Sequence, residues 1–148
     1  MRYRQYRFKF YLNASHAIVI EGNHGERHPH TWEITINTMK MRDSFVEFNH
    51  IEKKIESFIS KYQDQYINEI DPFDHINPTL ENCCEYFKNL LKDILNDEGW
   101  LLLLIEMSET PTRSYVINLL DESESETQKQ SIEASVDSLL DSIVDMDD

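Results

Sequence analysis

Glycine is nearly absent from this chain, with three in 148 residues. Two of them, Gly22 and Gly25, stand close together, so the backbone freedom that glycine supplies is concentrated in one loop. Proline is almost as sparse, and of the four, Pro72 and Pro78 punctuate a single irregular stretch. The two cysteines are the neighbours Cys83 and Cys84. Adjacent thiols make neither a disulfide framework nor a Cys-x-x-Cys site, and a reducing cytoplasm is the expected compartment. No apolar run approaches the roughly 20 residues that span a bilayer. The opening Met1-Arg2-Tyr3-Arg4-Gln5-Tyr6 reads as a strand and lacks the apolar core of a signal peptide. Bases are short as well, 14 Lys and Arg against 28 Asp and Glu, for a net charge of −14. Nucleic acid is an unsuitable partner for such a chain, because its phosphates require a basic face.

What is present suits one domain with a tail. Hydrophobic residues at 40% and charged residues at 28% are those of a globular protein with a single core. From Asp121 onward ten acids face one base, Lys129, a balance of −9, so the preceding chain carries only −5 of the total. The expected division is a domain over residues 1–120 and, over 121–148, an acidic linker followed by an amphipathic helix. Ile132, Val136, Leu139, Leu140, Ile143 and Val144 give that helix an apolar stripe, which needs the body or a neighbouring subunit to lie against. Its acidic face excludes a basic membrane-surface helix.

Hydrophobic periodicity places the elements. Tyr3 to about Ile20 alternates as one long strand or a bent pair, Glu21–Arg27 is a turn, and His28 to about Met39 is the returning strand. Asn49 with Glu52 three residues on predicts a helix start, followed by Ile51, Ile55, Phe58, Ile59 and Tyr62 at helical spacing. Thr79 is the expected cap of a second helix whose stripe is Leu80, Cys84, Phe87, Leu91 and Ile94. Trp100–Met107, nearly all apolar, predicts a central strand covered on both faces, and Ser114–Leu120 a last strand. The order ββααββ predicts an α+β domain, an antiparallel four-stranded sheet with two helices on one face.

Three histidines stand out against this pattern. Side chains of a strand alternate between faces, and His16 shares its parity with Phe8, Phe10, Leu12 and Ala14, while His28 and His30 share theirs with Trp32, Ile34 and Ile36. All three imidazoles then point to the apolar side. Any one alone reads as an ordinary core or surface histidine. Three converging in a dry pocket read as a catalytic zinc (Zn2+) site, three protein ligands with an open fourth position.

The element order and five short motifs carry a family likeness. The motifs are Asn13-Ala14-Ser15-His16, His28-Pro29-His30, Phe45-Val46-Glu47-Phe48, Asn77-Pro78-Thr79-Leu80-Glu81-Asn82 and Ile105-Glu106-Met107-Ser108-Glu109-Thr110. Over roughly residues 6–118 the chain resembles the 6-pyruvoyl-tetrahydropterin synthase and 6-carboxytetrahydropterin synthase family. The resemblance implies the tunnelling fold, assembled as homo-oligomeric trimers or hexamers. It further implies zinc on His16, His28 and His30 and a substrate like dihydroneopterin triphosphate. It matches Glu109 to the glutamate that anchors the pterin ring, a task suited to a carboxylate because it accepts two parallel hydrogen bonds. It matches Thr79 to a threonine that helps hold that ring. Outside the resemblance, Glu109 reads as a turn residue and Thr79 as a plain helix cap.

The chain also departs from the family pattern. Where family enzymes have a proton-transferring cysteine, four residues before the first histidine of the His-x-His pair, this chain has His24. The family's Asp-His pair falls on Gln63-Asp64 or, with one deletion, on Asp64 and Gln65, and the nearby Asp74-His75 is a coincidence of letters. Proton transfer is then expected of His24, or of Glu26 or Glu21 in the same loop, with Asp64 as the surviving acid. The alternative expectation is a zinc-binding family member without catalysis, one that binds a pterin-like ligand or serves in assembly.

Overall fold

Aromatic and aliphatic side chains at every second position build the sheet. In the computed structural model, which describes residues 4–41 and 45–121, strand β1 runs Gln5–His16 with Phe8, Phe10, Leu12 and Ala14 buried between exposed Arg7, Lys9, Tyr11 and Asn13. After His16 the alternation stops. Ala17 is buried and Ile20 is 66% exposed, because Val19–Ile20 (β2) leaves the main sheet and pairs with Asn23–His24 (β3) in a small hairpin inside the loop. The long-strand reading thus ends four residues early, and the bent pair is what forms. Gly22, at φ 80°, supplies the turn of this hairpin.

Strand β4, His28–Lys40, returns along β1 and buries Trp32, Ile34, Ile36 and Thr38 on the same face. Helix α1, Phe48–Ile59, then buries Ile51, Ile55 and Ile59. It begins before the expected cap: Asn49 lies inside the first turn, and Glu47 precedes the helix without a side-chain cap. The ring of Phe48, edge-on to Tyr6 at 5.3 Å, anchors this earlier start. Phe58, expected in the stripe, is 43% exposed, whereas Tyr62 is buried beyond the helix end.

The stretch up to Pro78 holds only a short 3₁₀ turn, Ile67–Glu69. Helix α2, Leu80–Asp97, starts as expected. The Thr79 hydroxyl accepts the Asn82 N–H at 3.1 Å, and Leu80, Cys84, Phe87, Leu91 and Ile94 are all buried.

Strands β5, Trp100–Thr110, and β6, Arg113–Asn118, complete an antiparallel sheet of order β1-β4-β5-β6, with the two helices on one face. β5 is central, but it is not covered on both sides: Leu101, Leu103 and Leu104 are only half-buried. Its unbroken apolar run has another cause. Asn37 pairs with Leu104 and Thr38 with Leu102, so Leu103 is an extra residue, a β-bulge. Trp100 and Leu102 face the core before it, and Ile105 and Met107 after it. The chain is apolar at both parities because its inward parity changes there. The acidic linker and amphipathic helix expected over 121–148 lie outside the described residues, apart from Asp121.

Candidate metal centre

The register of β1 against β4 brings the histidines together. His16 pairs directly with His28, and Ala14 with His30, so the three side chains share the helix-bearing face at one end of the sheet. The ring of the fully buried Trp32 lies 4.9 Å from that of His16 and 5.2 Å from that of His30, forming the floor. The β4–β5 register ends with Glu33 opposite Ser108, and Glu109 is the next residue of β5, at the irregularity in its pairing with β6. Glu109 Oε1 lies 3.4 Å from His16 Nε2 and 3.2 Å from His30 Nε2. One donor atom from each of His16, His28, His30 and Glu109 falls within 4.8 Å of all the others.

Hydrogen bonds fix which nitrogens face inward. His16 Nδ1 lies 2.8 Å from the Pro78 carbonyl and His28 Nδ1 2.9 Å from the Glu26 carbonyl. A carbonyl only accepts, so each Nδ1 carries the proton, which in the neutral tautomer leaves the lone pair on Nε2, the nitrogen that faces inward. These two Nε2 atoms are 2.8 Å apart. Two lone pairs at that separation repel unless a cation lies between them. A tetrahedral zinc with bonds of about 2.0–2.1 Å keeps its donors roughly 3.3 Å apart, near the separations found here. The residues therefore fit the ion, and the two carbonyls are the outer partners that metal-bound imidazoles ordinarily have.

Protonation is disfavoured on the same face. Burial holds the His16 imidazole below the ordinary histidine pKa, against the opposing effects of the Pro78 hydrogen bond and Glu109. Burial does the same to His30. Both rings stay neutral at pH 7, as ligands must. A depressed histidine pKa means that the unfolded chain takes up protons first as pH falls. The metal-free protein is therefore expected to hold its stability above about pH 6.5, the unperturbed histidine value, and to lose it progressively on acidification below that. Urea midpoints measured from pH 7.5 to 5 check this, and a His16→Gln, His30→Gln double variant should show a flatter profile.

The other candidates lie around this group, not in it. His24 is exposed on β3, opposite Val19. Gly25 lets the loop close, since its N–H donates to the Ile18 carbonyl at 2.8 Å and a Cβ would meet that oxygen at 3.1 Å. Glu26 is exposed, and its backbone carbonyl, not its side chain, touches His28. Asp64, at φ 60°, donates its N–H to the Asn13 carbonyl and lines, with His30, Ser15 and Gln65, a cavity of about 420 Å³. Gln63 clamps β1, accepting the Asn13 N–H and donating to the Tyr11 carbonyl. Thr79 lies next to Pro78, whose carbonyl holds His16, but its hydroxyl is engaged in the cap. Asp71, Asp74 and His75 form a separate, exposed group.

Several contributors were not visible in the sequence reading. Arg113 grips Glu109 from its far side, Nη2 to Oε2 at 2.9 Å. Asn68 and Asn77 each use the side-chain amide to accept and donate along the backbone, at Ala17 and Val19 respectively, securing the segment after His16. An amide that spans one residue's N–H and C=O is a signal only once the partner segment is known. Cys83 is buried, and its thiol is pushed far up by burial and, secondarily, by the charge of Glu109. It is not a nucleophile in this state.

Residues 5–119 match the sequence model of the 6-pyruvoyl tetrahydropterin synthase family. The chain belongs to that family. Among curated proteins no sequence matches. Among solved structures, the 6-pyruvoyl tetrahydropterin synthase of Caenorhabditis elegans is similar with a TM-score of 0.68 at 14% identity, over 80% of this chain and 96% of that one. An uncharacterized protein from Wolinella succinogenes is similar at 0.60 and 13% identity, over 80% and 99%. A Plasmodium vivax 6-pyruvoyltetrahydropterin synthase, in a form with a catalytic glutamate changed to alanine, is similar at 0.59 and 12%, over 79% and 98%. The tunnelling fold of the 6-pyruvoyl tetrahydropterin synthase family is thus the fold of this chain.

Proposed function

We propose that this protein is a zinc-dependent pterin lyase or synthase acting on a substrate like dihydroneopterin triphosphate. The observation that carries the reading is the inward turn of the His16 and His28 Nε2 atoms, with both Nδ1 protons tied to carbonyls, beside His30 and Glu109. His16, His28 and His30 would hold the zinc, which would supply polarisation of a hydroxyl or carbonyl oxygen of the substrate. Glu109 presents its carboxylate to the paired N–H groups of the flat heterocycle, and Thr79, at the start of α2, contributes its hydroxyl hydrogen while the oxygen keeps the Asn82 N–H. Proton transfer falls to His24 on β3 or Glu26 in the loop between β3 and β4, with Asp64 as a further acid beside the neighbouring cavity. The Plasmodium vivax relative, in which a glutamate is catalytic, supports a carboxylate in this work.

The sheet supports assembly into homo-oligomers, trimers or hexamers. β1 and β6 are its outer strands, and Leu101 and Leu103 are half-buried apolar side chains on the face without helices. Among the described residues no helix is long and apolar enough to cross a membrane. The two cysteines, buried side by side on α2, accord with a cytoplasmic setting.

Incubating the zinc-loaded protein with dihydroneopterin triphosphate, with a 6-substituted tetrahydropterin as readout, tests the proposal. Turnover is expected to drop by about 10²–10⁴-fold in whichever of Glu26→Gln and His24→Ala removes the proton carrier. Full zinc occupancy without turnover overturns catalysis. The exposure of His24 and Glu26, outside the four-donor group, favours a second reading, a pterin-binding protein without turnover. Tight pterin binding with no product would establish it.

A further inference from the structure

We infer that Glu109, gripped from its far side by Arg113, is a fourth protein donor of the metal centre when no substrate is bound. The inference rests on the reading that His16, His28 and His30 hold a metal ion, and goes beyond the ring-anchoring role proposed for Glu109. Its carboxylate is split between two tasks. Oε1 faces the Nε2 atoms of His30 and His16 at 3.2 and 3.4 Å, and Oε2 receives the Arg113 guanidinium at 2.9 Å. The side chain is only 12% exposed. A bare imidazole lone pair offers a carboxylate oxygen no hydrogen, so His16, whose Nδ1 proton is tied to the Pro78 carbonyl, gives Oε1 no reason to approach. A cation shared by all four donor atoms does. Three nitrogens and one carboxylate oxygen are a standard zinc ligand set, and four protein ligands make a closed site where three leave it open.

Arg113 determines which oxygen is presented. With Oε2 in an ion pair, the carboxylate offers a single oxygen to the histidines. The resting centre is closed, and the same carboxylate cannot serve a heterocycle's N–H pair without leaving the ion. Ring binding and opening of the fourth position are therefore one event, and small anions that cannot draw Glu109 away find no vacant position.

Cobalt(II)-substituted protein titrated with azide tests this, with the visible absorption of the metal as readout. The wild-type spectrum is expected to stay unchanged at millimolar azide, while Glu109→Ala and the near-isosteric Glu109→Gln show a saturating spectral change. Chelator competition should show metal affinity lower by about tenfold or more in both variants. Arg113→Met is expected to admit azide at higher concentrations than Glu109→Ala requires. Identical azide responses and affinities in wild type and both Glu109 variants would overturn the inference while leaving the three-histidine site standing. Failure of the wild-type protein to take up cobalt would overturn both.

Discussion

His16→Ala is expected to leave the protein without stoichiometric metal, whereas His24→Ala should retain the wild-type content. Losing an outer-shell partner of a metal site typically lowers affinity about 10–100-fold, and His16 is a ligand, so its loss should exceed that range. The substitution has a second cost. His16 is fully buried, and its Nδ1–H satisfies the Pro78 carbonyl at 2.8 Å. An unpaired buried carbonyl costs about 1–3 kcal/mol, at the residue before the cap of α2. Metal analysis after dialysis, with chelator competition for the affinity, checks the first effect, and thermal unfolding checks the second. Equal metal in wild type and His16→Ala would dissolve the centre, whatever becomes of the fold. His24 separates the roles, since it occupies the loop but stands outside the four-donor group.

Trp32→Ala is expected to cost about 3–5 kcal/mol, the range for a buried aromatic truncated in a core. That is a large fraction of the roughly 5–15 kcal/mol that stabilises a domain. The indole is fully buried, with the His16 and His30 rings packed on it. Its removal leaves both ligands without a floor, so metal affinity should fall with stability. Trp32→Phe should cost much less, because it keeps most of the packing and removes an indole N–H that has no hydrogen-bond partner among the described residues. Urea unfolding measures the difference as a shift in midpoint at constant slope. A Trp32→Ala protein as stable as wild type would mean that this end of the sheet collapses around the missing ring.

The histidine face was legible because it needs only two facts, strand parity and antiparallel pairing. His16 and His28 both belong to runs whose even positions are apolar, and the turn between them is bounded by glycines, so the partners follow once the hairpin forms. The Thr79 cap was legible for a similar reason, a local bond across one turn. Features set by distant packing were not. Phe48 draws α1 past Asn49 because its ring reaches Tyr6, a contact that no local pattern encodes. Arg113 meets Glu109 across a tight turn, and an arginine next to a turn reads in sequence as a solvated charge. The even apolar character of β5 concealed its bulge, since a run with both parities apolar looks the same whether or not the strand changes phase.

That one surplus leucine has a consequence for how this protein tolerates change. Side chains along a paired strand swap faces with every residue gained or lost, but the bulge absorbs Leu103, so Trp100 and Leu102 before it and Ile105 and Met107 after it all face the core. Excising Leu103 would leave every other residue of β5 opposite the same partner on β4, whereas losing one of the paired residues between Leu104 and Ser108 would turn the carboxylate away from the imidazoles. The bulge is therefore where β5 can lose a residue with least effect on the carboxylate, and the paired stretch beyond it is where it cannot.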